Sequence, residues 1–533
     1  MSAAAAGACA LAFAGPALGA PDLAAPDLAL RGASDPDHEA PVTCREGEGQ
    51  CFLLLGVQID GATAFDQAEL SGLYQPYLAR EVSVGDLARI ADAVTAHYRD
   101  AGYFLSRAQV PPQDMSTGIA HLRVIEGRIS EIEVRGPARE PVARALRGLD
   151  RAPIAELAEL DRRLARAKAA PGVTLEARLE PVLSDPASHT LVVETAFEAQ
   201  SGYAMLDNRG ADNANPLQAF LGMRRNGLDG DQLAFDLYTT PQDARDFSFM
   251  RLAYGAALES GARVNVSAAV SRGGDGPDVT SPDVGGESAS VSAQYEYPLV
   301  LTRGEQFWAG AGFDLLHVEQ DWAGGGGYAD EVRLLRVNLR GRLDDGGRAT
   351  QVFAMATFGL DVLGASPHST SRRSRDDADG AFARFNGQIT HYRDLSRHVG
   401  LFVSLDGQWS AEPLLLSQEF SLGGLPYGRA YDPGELRGDS GLAGLVELRA
   451  GFDPDWGPIS FAQTYVFLDG GQVWNKADGD DLSASLASAG FGFRVRVADW
   501  LVAQWEAARP LTRTPFDEGD KDWRPFFSLS ASY

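Results

Sequence analysis

Two short strings hold the residue types of a serine protease. Gly438-Asp439-Ser440-Gly441 offers a hydroxyl for attack, and Thr95-Ala96-His97 an imidazole to take its proton. That chemistry needs both groups on one domain, with an aspartate behind the histidine. Here they stand roughly 340 residues apart, farther than one protease domain spans, and His97 falls in an amphipathic helical pattern. No catalytic residue is assigned and the chain does not read as an enzyme. Asp478, Asp480 and Asp481 beside Gly479 suggest calcium but lack the loop spacing, and read as a solvated turn. No H-E-x-x-H, phosphate-binding loop or dinucleotide fingerprint occurs, so no metal, cofactor or nucleotide is expected. With 47 Lys and Arg against 73 Asp and Glu, a net charge of −26 argues against nucleic acid, whose phosphates need clustered cations.

Three cysteines complete the reactive side chains. Met1–Ala20 is an uncharged, alanine-rich run with Ala17-Leu18-Gly19 suited to signal peptidase, so residues 1–19 are expected to be a secretory signal and Cys9 leaves with it. Cys44 and Cys51 then read as a disulfide, worth about 2–3 kcal/mol for so short a loop. No later segment is apolar over the length of a membrane helix.

The elements that must carry these residues change character near residue 198. A Pro-, Asp- and Ala-rich linker covers 20–50. Phe52–Asp60 reads as a strand. Ser83 and Asp86 form a helix start signal, followed by Leu87, Ile90, Val94 and Tyr98 on one helical stripe. Strands are expected at Phe104–Val110 and His121–Ile125. The pattern repeats with a strand at Ile129–Arg135, helices at Val142–Leu149 and Leu157–Ala169, and strands at Val173–Leu179 and Thr190–Glu194. The expectation is two α+β modules of β-α-α-β-β order, at 51–127 and 128–197.

From 198 to 533 the period is two. Val264, Val266, Ala268 and Val270 alternate with polar neighbours, as do Val291, Ala293, Tyr295 and Tyr297, then Leu335, Val337 and Leu339. The chain ends on Phe527, Leu529, Ala531 and Tyr533 in the same alternation, a strand long enough to cross a membrane. Only a closed barrel satisfies every backbone group in lipid. Shared among sixteen strands, 198–533 allows about 21 residues for each strand and its connection. A transmembrane antiparallel β-barrel is predicted.

Several stretches then resemble one family, the two-partner secretion transporters (TpsB proteins, of the hemolysin-activator and filamentous-haemagglutinin transporter type), over nearly the whole mature chain. Tyr98–Tyr103 through Val110–Gln113 resembles the helix-to-strand passage of its first polypeptide-transport-associated (POTRA) domain. Val124-Ile125-Glu126-Gly127-Arg128-Ile129 resembles the joint between its two POTRA domains. Leu160, Arg162, Arg163, Leu164 and Pro171-Gly172-Val173 look like the second, and Asp207-Asn208-Arg209-Gly210 and Gly230-Asp231 like the first barrel hairpin. Phe420-Ser421-Leu422-Gly423-Gly424, then Gly428-Arg429-Ala430-Tyr431 and Gly438-Asp439, is similar to the loop that folds into the pore, around 420–441. The family's tip reads V-R-G-[YF]; here glycine precedes the arginine and alanine follows it. Phe467-Leu468-Asp469-Gly470-Gly471 resembles the F-x-D-x-G strand whose acid faces that arginine.

The resemblance implies an outer-membrane transporter of a Gram-negative bacterium, with both POTRA modules in the periplasm, which captures a large secreted partner exoprotein, expected to be β-helical. Apart from that exoprotein, the implied partner is outer-membrane lipid. An assembly factor that inserts other barrels is the alternative; a passive porin fits less well because of the N-terminal modules. Physically, Arg429 on a glycine-rich loop and Asp469 in an apolar strand each need an opposite charge, and a guanidinium can hold a carboxylate bidentately. The expected pore-loop site is Arg429, Tyr431 and Asp469, with Gly423, Gly424, Gly428, Phe467 and Gly471 shaping loop and strand. Capture by strand addition is expected at the edge carrying Phe104, Ser106, Ala108 and Val110.

Overall fold

The computed structural model describes residues 51–533 except 211–214, 275–283, 303, 323–325, 367–371, 455–456, 478–479 and 517. The expected signal and linker, with Cys44, lie outside the described residues; Cys51 is disulfide-bonded.

Residues 52–197 form two α/β modules. In the first, β1 (Phe52–Leu54) pairs with β3 (Arg80–Val82), while β2 (Gly56–Asp60), β4 (Arg107–Gln109) and β5 (Ile119–Ile125) make a sheet of order β2-β5-β4. The single strand expected at Phe52–Asp60 is thus two, broken at the exposed Leu55. Helices α1 (Gln67–Tyr74) and α2 (Val84–Asp100) each begin with a reciprocal capping box, Asp66 with Glu69 and Ser83 with Asp86. On α2 the stripe Leu87, Ile90, Val94 and Tyr98 is buried against the sheet, as its spacing requires. In the second module β6 (Arg128–Arg135), α3 (Arg139–Leu146), α4 (Leu157–Lys168), β7 (Val173–Pro181) and β8 (Ser188–Phe197) give a sheet of order β6-β8-β7.

Gly127 joins the modules, and a Cβ there would lie 2.5 Å from that of Leu105. Its carbonyl accepts the Ala155 N–H (2.8 Å), and the Leu157 N–H donates to the Gly102 carbonyl (2.9 Å). Phe104 and Leu105 pack against the core of the second module.

The remainder is one closed antiparallel barrel. Its strands are β9 (Gln200–Asp207), β10 (Gln218–Asn226), β11 (Asp231–Thr239), β12 (Phe247–Ala257), β13 (Arg263–Gly273), β14 (Val284–Leu301), β15 (Glu305–Trp322), β16 (Gly327–Asp344), β17 (Arg348–Gly359), β18 (Ala383–Asp394) and β19 (Val399–Ser410). After the two-stranded insert β20 (Phe420–Leu422) and β21 (Leu436–Gly438) come β22 (Ser440–Phe452), β23 (Phe461–Ala477), β24 (Asp480–Ala498), β25 (Leu501–Pro510) and β26 (Arg524–Ser532). Each of the sixteen wall strands pairs with its neighbours, and β26 returns to β9 from Ser528↔Asp207 to Ser532↔Tyr203. Tyr533 and Gly202 exchange two backbone hydrogen bonds (2.9 and 3.1 Å), and the Tyr533 ring lies over Gly202, 2.0 Å from where a Cβ would stand. Val266, Val270, Val291, Tyr295 and Val337 are exposed on the outer face, where water would penalise them and lipid does not.

Candidate functional site

The chain between β19 and β22 does not stay outside the barrel. Its neck is the β20–β21 pair, Phe420↔Gly438 to Leu422↔Leu436, and its tip packs on the inner face of β22–β25. Gly423 takes φ +109°, and a Cβ there would stand 2.2 Å from the Asp432 carbonyl oxygen. Gly428, which precedes the arginine where the family carries valine, takes φ +93°. Left-handed backbone is open to glycine and costly for a β-branched residue, so this tip is wound to suit its own sequence. The Gly424 N–H donates to the Gly428 and Tyr431 carbonyls (3.0 and 2.9 Å), closing the turn.

That turn delivers Arg429 into the wall, where it is 6% exposed. Its Nη1 donates to Glu447 Oε2 (3.0 Å) and Glu506 Oε2 (3.1 Å), and the guanidinium carbon lies 4.4 Å from the centre of the Phe467 ring. Asp469 holds the tip differently from the expected bidentate pair. Its nearest approach to the guanidinium is 3.6 Å from Nε, while its oxygens accept the backbone N–H groups of Gly428 (2.8 Å) and Arg429 (3.4 Å) and the Ser488 hydroxyl. The reason is positional: the Gly428 turn points two amides at β23, so the carboxylate binds backbone and the side chain reaches past it to two glutamates.

Those glutamates carry further cations. Glu447 also accepts from Arg449 (2.7 Å) and Arg494 (3.0 Å), and Glu506 from Arg209 (2.7 Å) and the Tyr465 hydroxyl (2.8 Å). Four guanidiniums therefore face three carboxylates, and all three acids are buried. Tyr431, 1% exposed, donates its hydroxyl to the carbonyls of Ala487 (3.1 Å) and Arg513 (3.2 Å). Arg524 holds the Ala430 carbonyl (3.0 Å) and Asp432 (2.7 Å). Gly471 leaves room for Leu422 at the neck, 2.9 Å from where its Cβ would be.

Glu447, Glu506, Arg449 and Arg494 were not singled out from the sequence. Each sits on the polar side of an alternating strand, where a solvated charge and a paired one look alike. Arg209 belongs to the Asp207–Gly210 string, whose role beyond a hairpin the spacing does not show.

The expected capture edge is placed otherwise. Phe104 packs into the second module, Ser106 is buried with its hydroxyl on the Gly127 N–H (3.3 Å), and Ala108 and Val110 pack on the core of the first. Strand β4 is only three residues long, and the Ala108 N–H already donates to Thr95 Oγ1 (2.9 Å). Of the apolar residues that suggested a long strand, Phe104 serves the joint between modules, while Ala108 and Val110 serve the first module's own core. The protease-like string is likewise absorbed: Asp439 binds Arg375 (2.7 Å) and two backbone amides, and Ser440 Oγ accepts from the Ser410 N–H (3.1 Å). His97 lies on α2 of the first module against Phe65.

Residues 52–127 match the model of the ShlB-type POTRA domain, and residues 342–495 that of the haemolysin secretion/activation protein ShlB/FhaC/HecB. The chain is 22% identical over 383 residues to the heme/hemopexin transporter protein HuxB of Haemophilus influenzae, covering 70% of this chain and 67% of that one. It is 23% identical over 477 residues to the outer membrane transporter CdiB of Dickeya dadantii, covering 87% and 84%. A stretch of 103 residues is 36% identical to CdiB of Escherichia coli, 19% of this chain and 18% of that protein. The structure of Escherichia coli CdiB superposes with a TM-score of 0.72 at 19% identity, over 94% of each chain.

Proposed function

The chain belongs to the TpsB transporters of two-partner secretion, outer-membrane barrels that secrete partner exoproteins, and from that premise we propose that it exports one large, β-helical exoprotein held open by its periplasmic modules. The observation that carries this reading is the in-folded loop fixed by Arg429 between Glu447 and Glu506 inside a closed barrel. A loop pinned to one wall by a buried ion network keeps the lumen divided without blocking it permanently.

Capture is the second part of the reading. An extended polypeptide adds most readily to a long, unshared sheet edge. β7, nine residues pairing only with β8, offers more such edge than the three residues of β4 expected from Phe104–Val110. Photo-crosslinkers at Thr174, Glu176 and Arg178 are expected to trap the exoprotein, whereas crosslinkers at Arg107 and Gln109 trap less; the reverse ranking returns capture to the first module. Passage needs no nucleotide, because folding at the cell surface makes each forward step hard to reverse.

Depletion distinguishes exporter from assembly factor. Cells lacking the chain are expected to lose one surface exoprotein and keep their other barrels. A general fall in outer-membrane barrels would assign it to assembly instead.

A further inference from the structure

Connections that follow odd-numbered wall strands lie at the end opposite the chain's entry into the barrel, so residues 372–382 and 411–439 meet at the outer mouth. On the inner face of β16, Arg342, Arg340, Asn338 and Arg336 are followed outward by Leu334 and Val332, both wholly buried. Leu316 and Val318 on β15 extend the same apolar patch. Four apolar side chains aimed into a water-filled barrel need a cover. Ala378 and Phe382 from the first segment and Leu414 and Leu415 from the neck of the second supply it, in one packed cluster.

Residues 360–366 and 372 are sewn to the wall through backbone. Leu360 N–H donates to the Arg333 carbonyl, Ser366 N–H to that of Glu331, and Ala329 N–H to that of Arg372, each at 2.8 Å. The hold on the neck is made by side chains. Arg375 Nη1 donates to Glu419 Oε1 (2.7 Å), Asp439 Oδ1 (2.7 Å) and the Leu414 carbonyl (3.2 Å), while Nη2 reaches Asp377 (2.7 Å). Asp439, fully buried, also accepts the N–H groups of Leu414 and Lys476 (2.7 Å each), so one carboxylate ties both ends of the in-folded loop to β23. Ser374 Oγ accepts the Leu416 N–H (3.1 Å) beside it.

Resting on the export reading, we propose that Arg375 is the positioning residue of an outer gate: residues 372–382 seal the mouth against the neck, and an exported chain leaves when this clasp and its apolar seal part. Removing the guanidinium strips Glu419 and Asp439 of the cation that reaches both. Buried carboxylates without it take up water, and the seal loosens, while the Arg429 anchor is untouched.

The test uses the purified full-length chain in planar phosphatidylcholine bilayers and, in parallel, cells producing it. Arg375→Gln is expected to raise the frequency of open-channel events severalfold and to sensitise cells to a large glycopeptide antibiotic. A Ser374→Cys/Leu416→Cys pair, oxidised, is expected to lower conductance below the native chain and to stop export, both restored by reduction. Native conductance in folded Arg375→Gln barrels, or full export through the oxidised pair, overturns the gate; if Arg375→Gln does not assemble, the cysteine pair decides alone. Conductance needs no exoprotein, so loss of the gate and loss of the export reading are separate outcomes.

Discussion

Both ends of the in-folded loop are held by an arginine, on opposite terms. At the tip the arginine belongs to the loop and its acids to the wall, Glu447 on β22, Asp469 on β23 and Glu506 on β25. At the neck the acids belong to the loop, Glu419 and Asp439, and the arginine to another loop. Strand carboxylates are fixed by the hydrogen-bonded ladder, whereas loops move with few bonds lost. The tip is therefore built as a standing anchor and the neck as a clasp. Glu447 keeps Arg449 and Arg494, and Glu506 keeps Arg209, when Arg429 is gone, so the wall does not need the loop in order to close.

The largest expected effect attacks the anchor from the wall side. Glu447→Gln with Glu506→Gln leaves the buried guanidinium with Asp469, 3.6 Å away, as its only carboxylate, and breaking such a network costs about 3–5 kcal/mol. Export should be lost and the tip should become cleavable by added protease in barrels that still migrate as folded. A protected tip would show that the backbone bonds to Asp469 suffice.

Next, Gly428→Val restores the family's residue at a position of φ +93°, with its Cβ 2.7 Å from Leu486. Left-handed strain of about 1–3 kcal/mol is expected, seen as partial loss of export and partial protease sensitivity. Full export by this variant would mean that the turn rewinds freely.

A carboxylate of the first module sets the scale for anchoring without a cation. Glu126 accepts from Thr63, Ala64 and the Tyr98 hydroxyl (2.8 Å). Burial pushes its pKa up, but these hydrogen bonds outweigh burial and hold it below the ordinary 4.5. A depressed folded value means the stabilisation is complete above 4.5 and fades as pH falls through the lower folded value. Tyr98→Phe should cost the first module about 1 kcal/mol, and Glu126→Gln should flatten the acid side of its stability profile. Thermal unfolding against pH checks both; an unchanged profile in Glu126→Gln would remove Glu126 from the account.

The smallest effect belongs to Arg449→Gln, because Glu447 keeps Arg494 and Arg429. Export near the native level is expected, and a large loss would show that the anchor depends on the full set of cations.

Arg429 and Asp469 were legible through their resemblance to the family's loop and strand motifs, with the physical reason beside it that a loop arginine and an acid among apolar strand residues each need an opposite charge. The sequence hid Glu447 and Glu506, since alternation fixes which face a side chain takes and says nothing of what stands opposite across the lumen. The barrel was legible because a period of two persists to Tyr533; the stripe of α2 was legible for the corresponding reason at 3.6. Phe104 misled because an apolar residue reads the same whether it serves a strand or a joint, and here it serves the joint. Arg375 could not be found, since its partners Glu419 and Asp439 lie 44 and 64 residues away.

The most direct test of the anchor is surface export by the Arg429→Ala protein, measured alongside the amount of heat-modifiable folded barrel in the same outer membranes. The account predicts a folded barrel in normal amount and no exoprotein at the surface. Export at the native rate from that barrel would contradict it.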